Sequence, residues 1–329
     1  KIMSVGEGLR ERLMNAGWEV LLTSSSKGRL SRVVDMLTTV LFDRNAYDVV
    51  LLDVYSGRAF LWAEAVSAIL QRLRKPMVLS LHGGNLPSFS IGQPDRVRRL
   101  LGAARAVVAP SDYLRDSLEQ FRGDICVIPN PIDLSSFTYI HRRKARPDLV
   151  WLRAFHQLYN PIMAVEVVFQ LRKSHPGVRL VMIGPDMGDG SYGECRRQAE
   201  RLGVDEYILW QGGIPHEEVA NRLQDGDIFL NTPQIDNVPV SVLEAMASGL
   251  CVVSTNAGGL SYLLSHEHDA LLVSPGDSDG MAGAVDRLMA DPSLASRLSE
   301  NARKKAEHFD CEPVCRQWEA LLTDLGAEG

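Results

Sequence analysis

Short apolar runs alternate with amphipathic stretches along most of the chain. The intervening stretches place apolar residues at helical spacing, as in Ile162, Val165, Val168 and Phe169. Continuous apolar strands between amphipathic helices are typical of a parallel sheet covered on both faces. The predicted strands lie in WEVLLT (18–23), DVVLLDV (48–54), MVLSLH (77–82), AVVA (106–109), ICVIP (125–129), LVWLRAF (149–155), VRLVMIG (178–184), YILWQGG (207–213), DIFLN (227–231) and HDALLVS (268–274).

The alternation occurs in two series, which predicts two domains. A chain of 329 residues is long enough for both. The first series occupies residues 1–140 and the second 149–308, and the polar, basic segment HRRKARPD (141–148) is the predicted linker. Residues 309–329 form an amphipathic tail. A helical stripe opens the chain, so we expect the first strand of the first domain to be missing.

One helix of the second series combines an apolar surface with a single charge. It is predicted from Pro239 to Ser248, because Pro suits a first helical turn and Gly249 a helix end. Its only charged residue is Glu244, so the helix should be buried and the carboxylate should need a partner. A ribose diol would satisfy that carboxylate.

The start of this helix has the properties of an anion site. The N–H groups of Val238, Val240 and Ser241, together with the helix dipole, could hold a diphosphate. Asp236 stands eight residues before Glu244, on a loop expected to face the same pocket.

The string from Asp236 to Leu260, DNVPVSVLEAMASGLCVVSTNAGGL, resembles the retaining glycosyltransferases of family four. The competing interpretation is an ordinary βαβ unit with a stray Glu. The resemblance implies the α/β GT-B fold, with two Rossmann-like, doubly wound parallel-sheet domains facing a central cleft. It also implies that the N-terminal domain binds the acceptor, the C-terminal domain binds the nucleotide-sugar, and the tail crosses back to the first domain.

The resemblance also assigns roles to residues. Arg153 and the helix N–H groups would hold the phosphates and Glu244 the ribose, while Asp236 would bind sugar hydroxyls and His82 would lie beside the reacting centre. The predicted catalytic residues are therefore His82, Arg153 and Asp236. The predicted donor-binding residues are Gly83, Gly184, Ile214, Asn237, Val238, Pro239, Val240, Ser241 and Glu244.

Three positions depart from the family pattern. Tyr159 or Asn160 stands where a phosphate-binding Lys is expected, and neither offsets phosphate charge as a cation does. Asp236 replaces the more common Glu, and Tyr262 occupies another position where many relatives have Glu. The departures leave the identity of the sugar open.

The distribution of charge and the number of cysteines indicate which partners and which cellular compartment to expect. Residues 1–146 carry 21 Lys and Arg against 14 Asp and Glu, whereas residues 147–329 carry 14 against 27. A basic first domain suits a membrane surface or an acidic acceptor, and a solvated surface is the other interpretation. Five scattered cysteines favour a reducing cytosol, and we expect no nucleic-acid partner.

The family resemblance implies transfer without a metal, with which the sequence agrees, and we also expect no nicotinamide cofactor. The sequence has no clustered acidic pair near the predicted site, and Gly184, Gly188 and Gly190 have the wrong spacing for a dinucleotide fingerprint.

The predicted function is transfer of a sugar from a UDP- or GDP-sugar to an unidentified hydroxyl acceptor, in a cytoplasmic protein that contacts a membrane if the basic domain serves that purpose. The first alternative is a GT-B nucleotide-sugar-binding protein with weak or no turnover. A sugar-nucleotide epimerase would need further acid–base groups, and a periplasmic-type receptor does not account for the pairing of Asp236 with Glu244.

Overall fold

A computed structural model provides the structure of the protein. It describes residues 9–10, 13–23 and 29–327. Most of the helical stripe predicted at the start of the chain lies outside these residues. Contacts divide the described residues into two compact units: the first combines those up to Pro131 with those from Glu312 onward, and the second is Ile132–Cys311.

The first unit contains a four-stranded sheet in the order β1-β2-β3-β4, with every pairing parallel. The strands are β1 (Val50–Val54), β2 (Met77–Leu81), β3 (Ala106–Ala109) and β4 (Cys126–Val127). The helices are α1 (Arg29–Phe42), α2 (Arg58–Leu73), α3 (Leu86–Gly92), α4 (Pro94–Ala103) and α5 (Asp112–Leu118). Parallel strands have apolar residues on both faces because helices cover both.

Alternate residues of these strands enter two apolar clusters, one on each face. Leu79 and Val107 belong to the cluster that contains α2 and α4 residues. Val78 and Val108 belong to the other, where they join Trp318 of the C-terminal helix.

The second unit contains a six-stranded parallel sheet in the order β10-β9-β8-β5-β6-β7. Its strands are β5 (Asp148–Leu152), β6 (Arg179–Ile183), β7 (Ile208–Gly212), β8 (Ile228–Asn231), β9 (Cys251–Thr255) and β10 (Ala270–Val273). The α-helices that follow in chain order are α6 (Pro161–Leu171), α7 (Ser191–Leu202), α8 (His216–Gln224), α9 (Val240–Ala247), α10 (Leu260–Leu263), α11 (Ser278–Ala290), α12 (Pro292–Ala306) and α13 (Cys311–Ala327), of which α13 contributes to the first unit. Apolar clusters cover both faces of this sheet as well.

The predicted fold class, with two Rossmann-like parallel sheets, is confirmed. Two local predictions differ from the structure. Residues 18–23 are all described and form no strand, and Leu21 and Leu22 are half exposed. An apolar run forms a strand only where its backbone can hydrogen-bond to a neighbouring strand. The sequence pattern does not show whether such a neighbour is present.

Residues 141–148, predicted as the linker, lie inside the second unit. Arg142 is 3% exposed, and its guanidinium donates to the carbonyl oxygens of Ser248 (2.9 Å) and Gly226 (2.6 Å). It also pairs with Asp227, Nε to Oδ1 3.3 Å. The basic composition of this segment predicts a linker, whereas its Arg142 is buried and bonds groups of the second unit.

Candidate functional site

The carboxyl ends of β5 and β6 meet at one edge of the second sheet. Arg153 follows β5 and its N–H donates to the Ile183 carbonyl (3.0 Å), while the Gly184 N–H donates to the Gly212 carbonyl (2.8 Å). A Cβ on Gly184 would lie 1.8 Å from the Arg153 carbonyl oxygen, and φ of Gly184 is +152°. Only glycine allows this approach, which places the Arg153 backbone directly against the end of β6.

The Arg153 side chain is partnered on two sides. Its Nη2 lies 2.6 Å from Asp236 Oδ2, and its guanidinium carbon lies 4.3 Å from the centre of the Tyr159 ring. Its Nε is buried and has no hydrogen-bond partner in the described part of the chain. An aromatic ring therefore lies beside Arg153 in the segment where the family pattern predicts a Lys, and a carboxylate balances the Arg153 charge.

The Asp236 loop is fixed against the Gly-Gly turn that follows β9. Asp236 is 7% exposed, and its Oδ1 accepts from the Asn237 N–H (2.9 Å). Its carbonyl oxygen accepts from the Gly259 N–H (2.9 Å) and lies 2.4 Å from the place a Gly258 Cβ would occupy. The two glycines let this turn approach the backbone that carries the carboxylate.

Helix α9 begins one residue after Pro239 and ends at Ala247, close to the predicted bounds. Any helix start leaves N–H groups without intrahelical partners, and here the nearby Ser241 hydroxyl is buried without a hydrogen-bond partner among the described residues. Ser241 is 6% exposed, and Asn237 and Val238 are also buried. The helix start thus combines N–H donors with a desolvated hydroxyl, which suits an anionic ligand.

Glu244 is buried, as its apolar helix predicts, with 4% of its surface exposed. Its Oε1 lies 2.9 Å from Nε2 of His216, the first residue of α8. The hydrogen bond to Glu244 raises the pKa of His216, against the opposing effect of burial. Sequence reasoning expected a partner for Glu244 but did not find His216, because nothing in the spacing of the two residues indicates that β7 and β8 bring α8 and α9 side by side.

Ile214 and Val240 are half-buried and pack against the same apolar cluster of the second unit. Their predicted contact with the donor remains a prediction.

His82 follows β2 in the first unit, where its N–H donates to the Val54 carbonyl (2.9 Å). Its Nε2 lies 3.0 Å from Asp53 Oδ1 and 3.1 Å from Ser80 Oγ, and its ring stacks on Tyr55 with centroids 4.9 Å apart. These neighbours follow from strand register, because Asp53 of β1 lies opposite Ser80 of β2. A pocket of the first unit is lined by Asp53, Ser80, His82, Leu51, Pro110, Ile128, Asn130 and Trp318, among others.

Asp53 and Tyr55 were missed from the sequence. Asp53 ends an apolar run, which was the available signal, but a carboxylate at a strand end has many structural uses. Gly83, with φ +83°, is exposed directly after His82. The structure therefore gathers Arg153, Asp236 and the α9 start in the second unit and places His82 and Gly83 in the first.

Among the described residues, Asp133, Asp310 and Cys311 form a group of potential metal ligands. Asp310 Oδ1 accepts from the N–H groups of Leu134 (3.3 Å) and Cys311 (2.9 Å), and Asp133 Oδ1 accepts from the Ser135 N–H (3.2 Å). Since these carboxylates serve as backbone caps, we assign no metal to them. The described residues contain no helix that combines the length and the apolar composition needed to span a bilayer.

The fold and the site define an α/β protein with two Rossmann-like sheets and, in the second unit, a helix start that carries a buried hydroxyl without a partner among the described residues. Residues 140–305 match the model of the glycosyl transferases group 1, and residues 9–136 match that of Glycosyltransferase Family 4. The chain therefore belongs to the glycosyl transferases group 1 family, and the predicted family is confirmed.

Two relatives are each about a quarter identical to this chain. The exopolysaccharide phosphotransferase SCO2592 of Streptomyces coelicolor is 26% identical over 97% of this chain and 32% of its own length. The D-inositol 3-phosphate glycosyltransferase of Pseudarthrobacter chlorophenolicus is 24% identical over 75% of this chain and 62% of its own. The chain thus spans less than two thirds of the length of these relatives.

The fold is similar to that of Anabaena Alr3699/HepE, whose crystal structure contains UDP and glucose. The TM-score is 0.76 at 18% identity, over 95% of this chain and 88% of that one. The two-sheet organisation is accordingly the GT-B fold.

Proposed function

We propose that the chain transfers a sugar from a nucleoside diphosphate sugar to a hydroxyl acceptor, with retention of anomeric configuration and without a metal. The observation that carries the proposal is the start of α9, where a buried, unpartnered Ser241 hydroxyl and helix N–H groups lie on the same helix as the buried Glu244 carboxylate. The group 1 family match supports the transferase class, and the UDP and glucose in the HepE structure support a nucleotide-sugar donor.

The diphosphate of the donor is assigned to the α9 start and Arg153. A buried hydroxyl without a partner costs roughly 1–3 kcal/mol, so a phosphate oxygen that accepts from Ser241 recovers that free energy. Arg153 contributes a cation, and its buried Nε offers a donor in addition to the Nη2 that bonds Asp236. Electrostatic stabilisation of the leaving diphosphate is the largest contribution expected in such a transfer.

The two carboxylates are assigned to hydroxyl groups of the donor. Glu244 uses one oxygen on His216, which leaves the other to accept from the ribose hydroxyls. Asp236, pinned by the Gly-Gly turn, binds hydroxyls of the sugar, and His82 contacts the sugar near its reacting carbon. The remaining donor contacts are assigned to backbone and apolar groups at Gly83, Gly184, Ile214, Asn237, Val238, Pro239 and Val240.

In the transfer, the bond between the anomeric carbon and the diphosphate oxygen breaks and a bond to the acceptor oxygen forms on the same face. The acceptor proton passes to a phosphate oxygen of the leaving nucleoside diphosphate. The protein binds and orients the reactants and offsets the developing charge, which is the contribution that positioned donors make to group transfer.

We assign binding of the acceptor to the first unit. We also propose that the protein is cytoplasmic. Because the excess of Lys and Arg is confined to residues 1–146, an acceptor at an anionic membrane surface would be attracted to this part of the chain.

The test combines binding with turnover. A panel of UDP-, GDP- and ADP-sugars is added to the protein, and thermal stabilisation is measured with and without a chelator. We expect one nucleotide class to raise the melting temperature in the presence of the chelator, and Glu244→Ala to abolish the shift.

Donor consumption is then followed with a panel of hydroxyl acceptors, and the anomeric configuration of the product is read by NMR. Stabilisation without consumption under any acceptor condition would favour the alternative of a binding protein without turnover. An inverted product would contradict retention, and loss of the shift with chelator would contradict metal independence.

A further inference from the structure

The carboxylate of Glu244 and the imidazole of His216 form a pair whose members differ greatly in exposure. The Glu244 side chain is 5% exposed and the His216 side chain 37% exposed, at a separation of 2.9 Å. Glu244 projects from a helix on which every other residue from Ser241 to Ala247 is buried and uncharged. The buried Glu244 carboxylate therefore bonds a side chain that is itself partly exposed to solvent.

The surroundings of His216 favour its protonated form. Glu244 on α9, Glu217 on α8 and Asp133 in the loop after β4 all act on it in the same direction, and only burial acts against them. These three carboxylates raise the pKa of His216 above its ordinary value. A protonated His216 makes the pair neutral, whereas a neutral His216 leaves the Glu244 charge uncompensated.

We propose that His216 is a positioning residue for the nucleotide: it holds Glu244 by one oxygen so that the other meets the ribose, and its protonation adds a cation that favours the donor diphosphate. The proposal rests on the proposed function, since it presupposes that a nucleoside diphosphate sugar binds beside Glu244.

The sign of the pH dependence follows from the charges. Below the raised pKa, His216 is cationic and offsets the negative charge that the diphosphate brings, so affinity is high. As the pH rises through that pKa the cation is lost and affinity falls. By linkage, binding of the anionic donor raises the pKa further, so the protein takes up protons when it binds.

The test measures the dissociation constant of a UDP-, GDP- or ADP-sugar, whichever stabilises the protein, from about pH 5.5 to 9. A nucleotide sugar is the right probe because both phosphates of its diphosphate are esterified and lack the secondary ionisation near pH 6 that a terminal phosphate has. The variants are His216→Gln, which keeps an N–H donor without the charge, and His216→Ala, which removes both. The matched control is His175→Gln, because His175 forms a similar pair with Asp286 of α11 (2.7 Å) in the same unit.

We expect the wild type and His175→Gln to lose affinity on the order of tenfold across the range, because the His216 cation is lost as the pH rises. His216→Gln should bind equally at all pH values, near the high-pH affinity of the wild type, and His216→Ala should bind more weakly still. Calorimetry of the wild type in buffers of different ionisation enthalpy should show net proton uptake, a measurement that needs no variant.

The outcomes separate the two proposals. Failure of the wild type to bind any nucleotide sugar at any pH overturns the proposed function and this inference together. Binding that keeps its wild-type pH dependence in His216→Gln, or that proceeds without proton uptake, overturns the inference alone.

Discussion

Two serine hydroxyls at the opposite ends of α9 provide a direct comparison at the residue scale. The Oγ atoms of Ser241 and Ser248 are both buried and lack hydrogen-bond partners among the described residues. We expect Ser241→Ala to weaken binding of the nucleotide sugar on the order of tenfold, because it removes one hydrogen bond to a charged phosphate.

Ser248→Ala is the control, since Ser248 is the C-cap of the same helix and lies at the end opposite the N–H groups of the helix start. Neither substitution should lower the melting temperature appreciably, because each removes a hydroxyl that makes no bond in the fold. Equal loss of affinity in both variants, measured by calorimetric titration, would show that the helix start is not the phosphate site.

The sequence predicted the burial of Glu244 because the signal for it is local. Glu244 is the only charge on an apolar helix, so its burial could be read directly. Its partner His216 could not, because that contact depends on how two crossover connections place α8 beside α9. The same limit applies to Asp53, which meets His82 through the register of two strands.

At the scale of elements, the close packing of β5 and β6 depends on Gly184. We expect Gly184→Ala to reduce the free energy of unfolding by about 2–5 kcal/mol, because its methyl group would overlap the Arg153 carbonyl and force the strand ends apart. Gly177→Ala is the matched control, since no described atom lies within 4 Å of its Cβ position. Urea denaturation of the two variants measures the difference, and similar stability of both would contradict the packing described.

The segment between β4 and β5 is held by a buried arginine. We expect Arg142→Ala to lower the free energy of unfolding by about 3–5 kcal/mol, because Asp227 loses a buried ion-pair partner and the carbonyl oxygens of Ser248 and Gly226 lose a buried donor. Arg146 bonds the Asp227 carboxylate as well (Nε to Oδ2 2.9 Å), but 63% of its side chain is exposed. Arg146→Ala should therefore lower the free energy of unfolding by about 1 kcal/mol or less. Equilibrium unfolding distinguishes the two, and an equal effect would mean that burial does not set the strength of these pairs.

Periodicity located most elements because strands and helices of a parallel α/β sheet differ in length and pattern. It erred where position in the fold decides the outcome. The run at 18–23 has the composition of a strand but lacks the pairing, and segment 141–148 has the composition of a linker but contains a buried cation. The composition of a segment shows which secondary structures are compatible with it, while tertiary contacts determine which of them forms.

For the molecule as a whole, the C-terminal helix α13 is part of the first unit's core. Trp318 is 5% exposed and shares a cluster with Val78, Val108 and Leu322. We expect Trp318→Ala to destabilise the first unit by about 3–5 kcal/mol while unfolding of the second unit is unchanged. Hydrogen exchange resolved by segment reports the two units separately.

The control for this prediction is Trp62→Ala on α2, where the indole is 37% exposed, and a much smaller effect is expected. Uniform loss of protection in both units of Trp318→Ala would show that they unfold as one. The amphipathic pattern of the tail predicted a helix; its destination was implied by family resemblance, because an apolar stripe does not identify its partner.

The membership of α13 in the first unit constrains the order in which a growing chain can complete its structure. The second unit is continuous from Ile132 to Cys311, so all of its strands are available as soon as that stretch has left the ribosome. Synthesis of the first unit starts earlier, but β2 and β3 are covered only after Val314, Trp318 and Leu322 have been made. Of the two units, the one whose synthesis starts earlier is therefore completed later, and its uncovered sheet face is the surface that chaperones would meet.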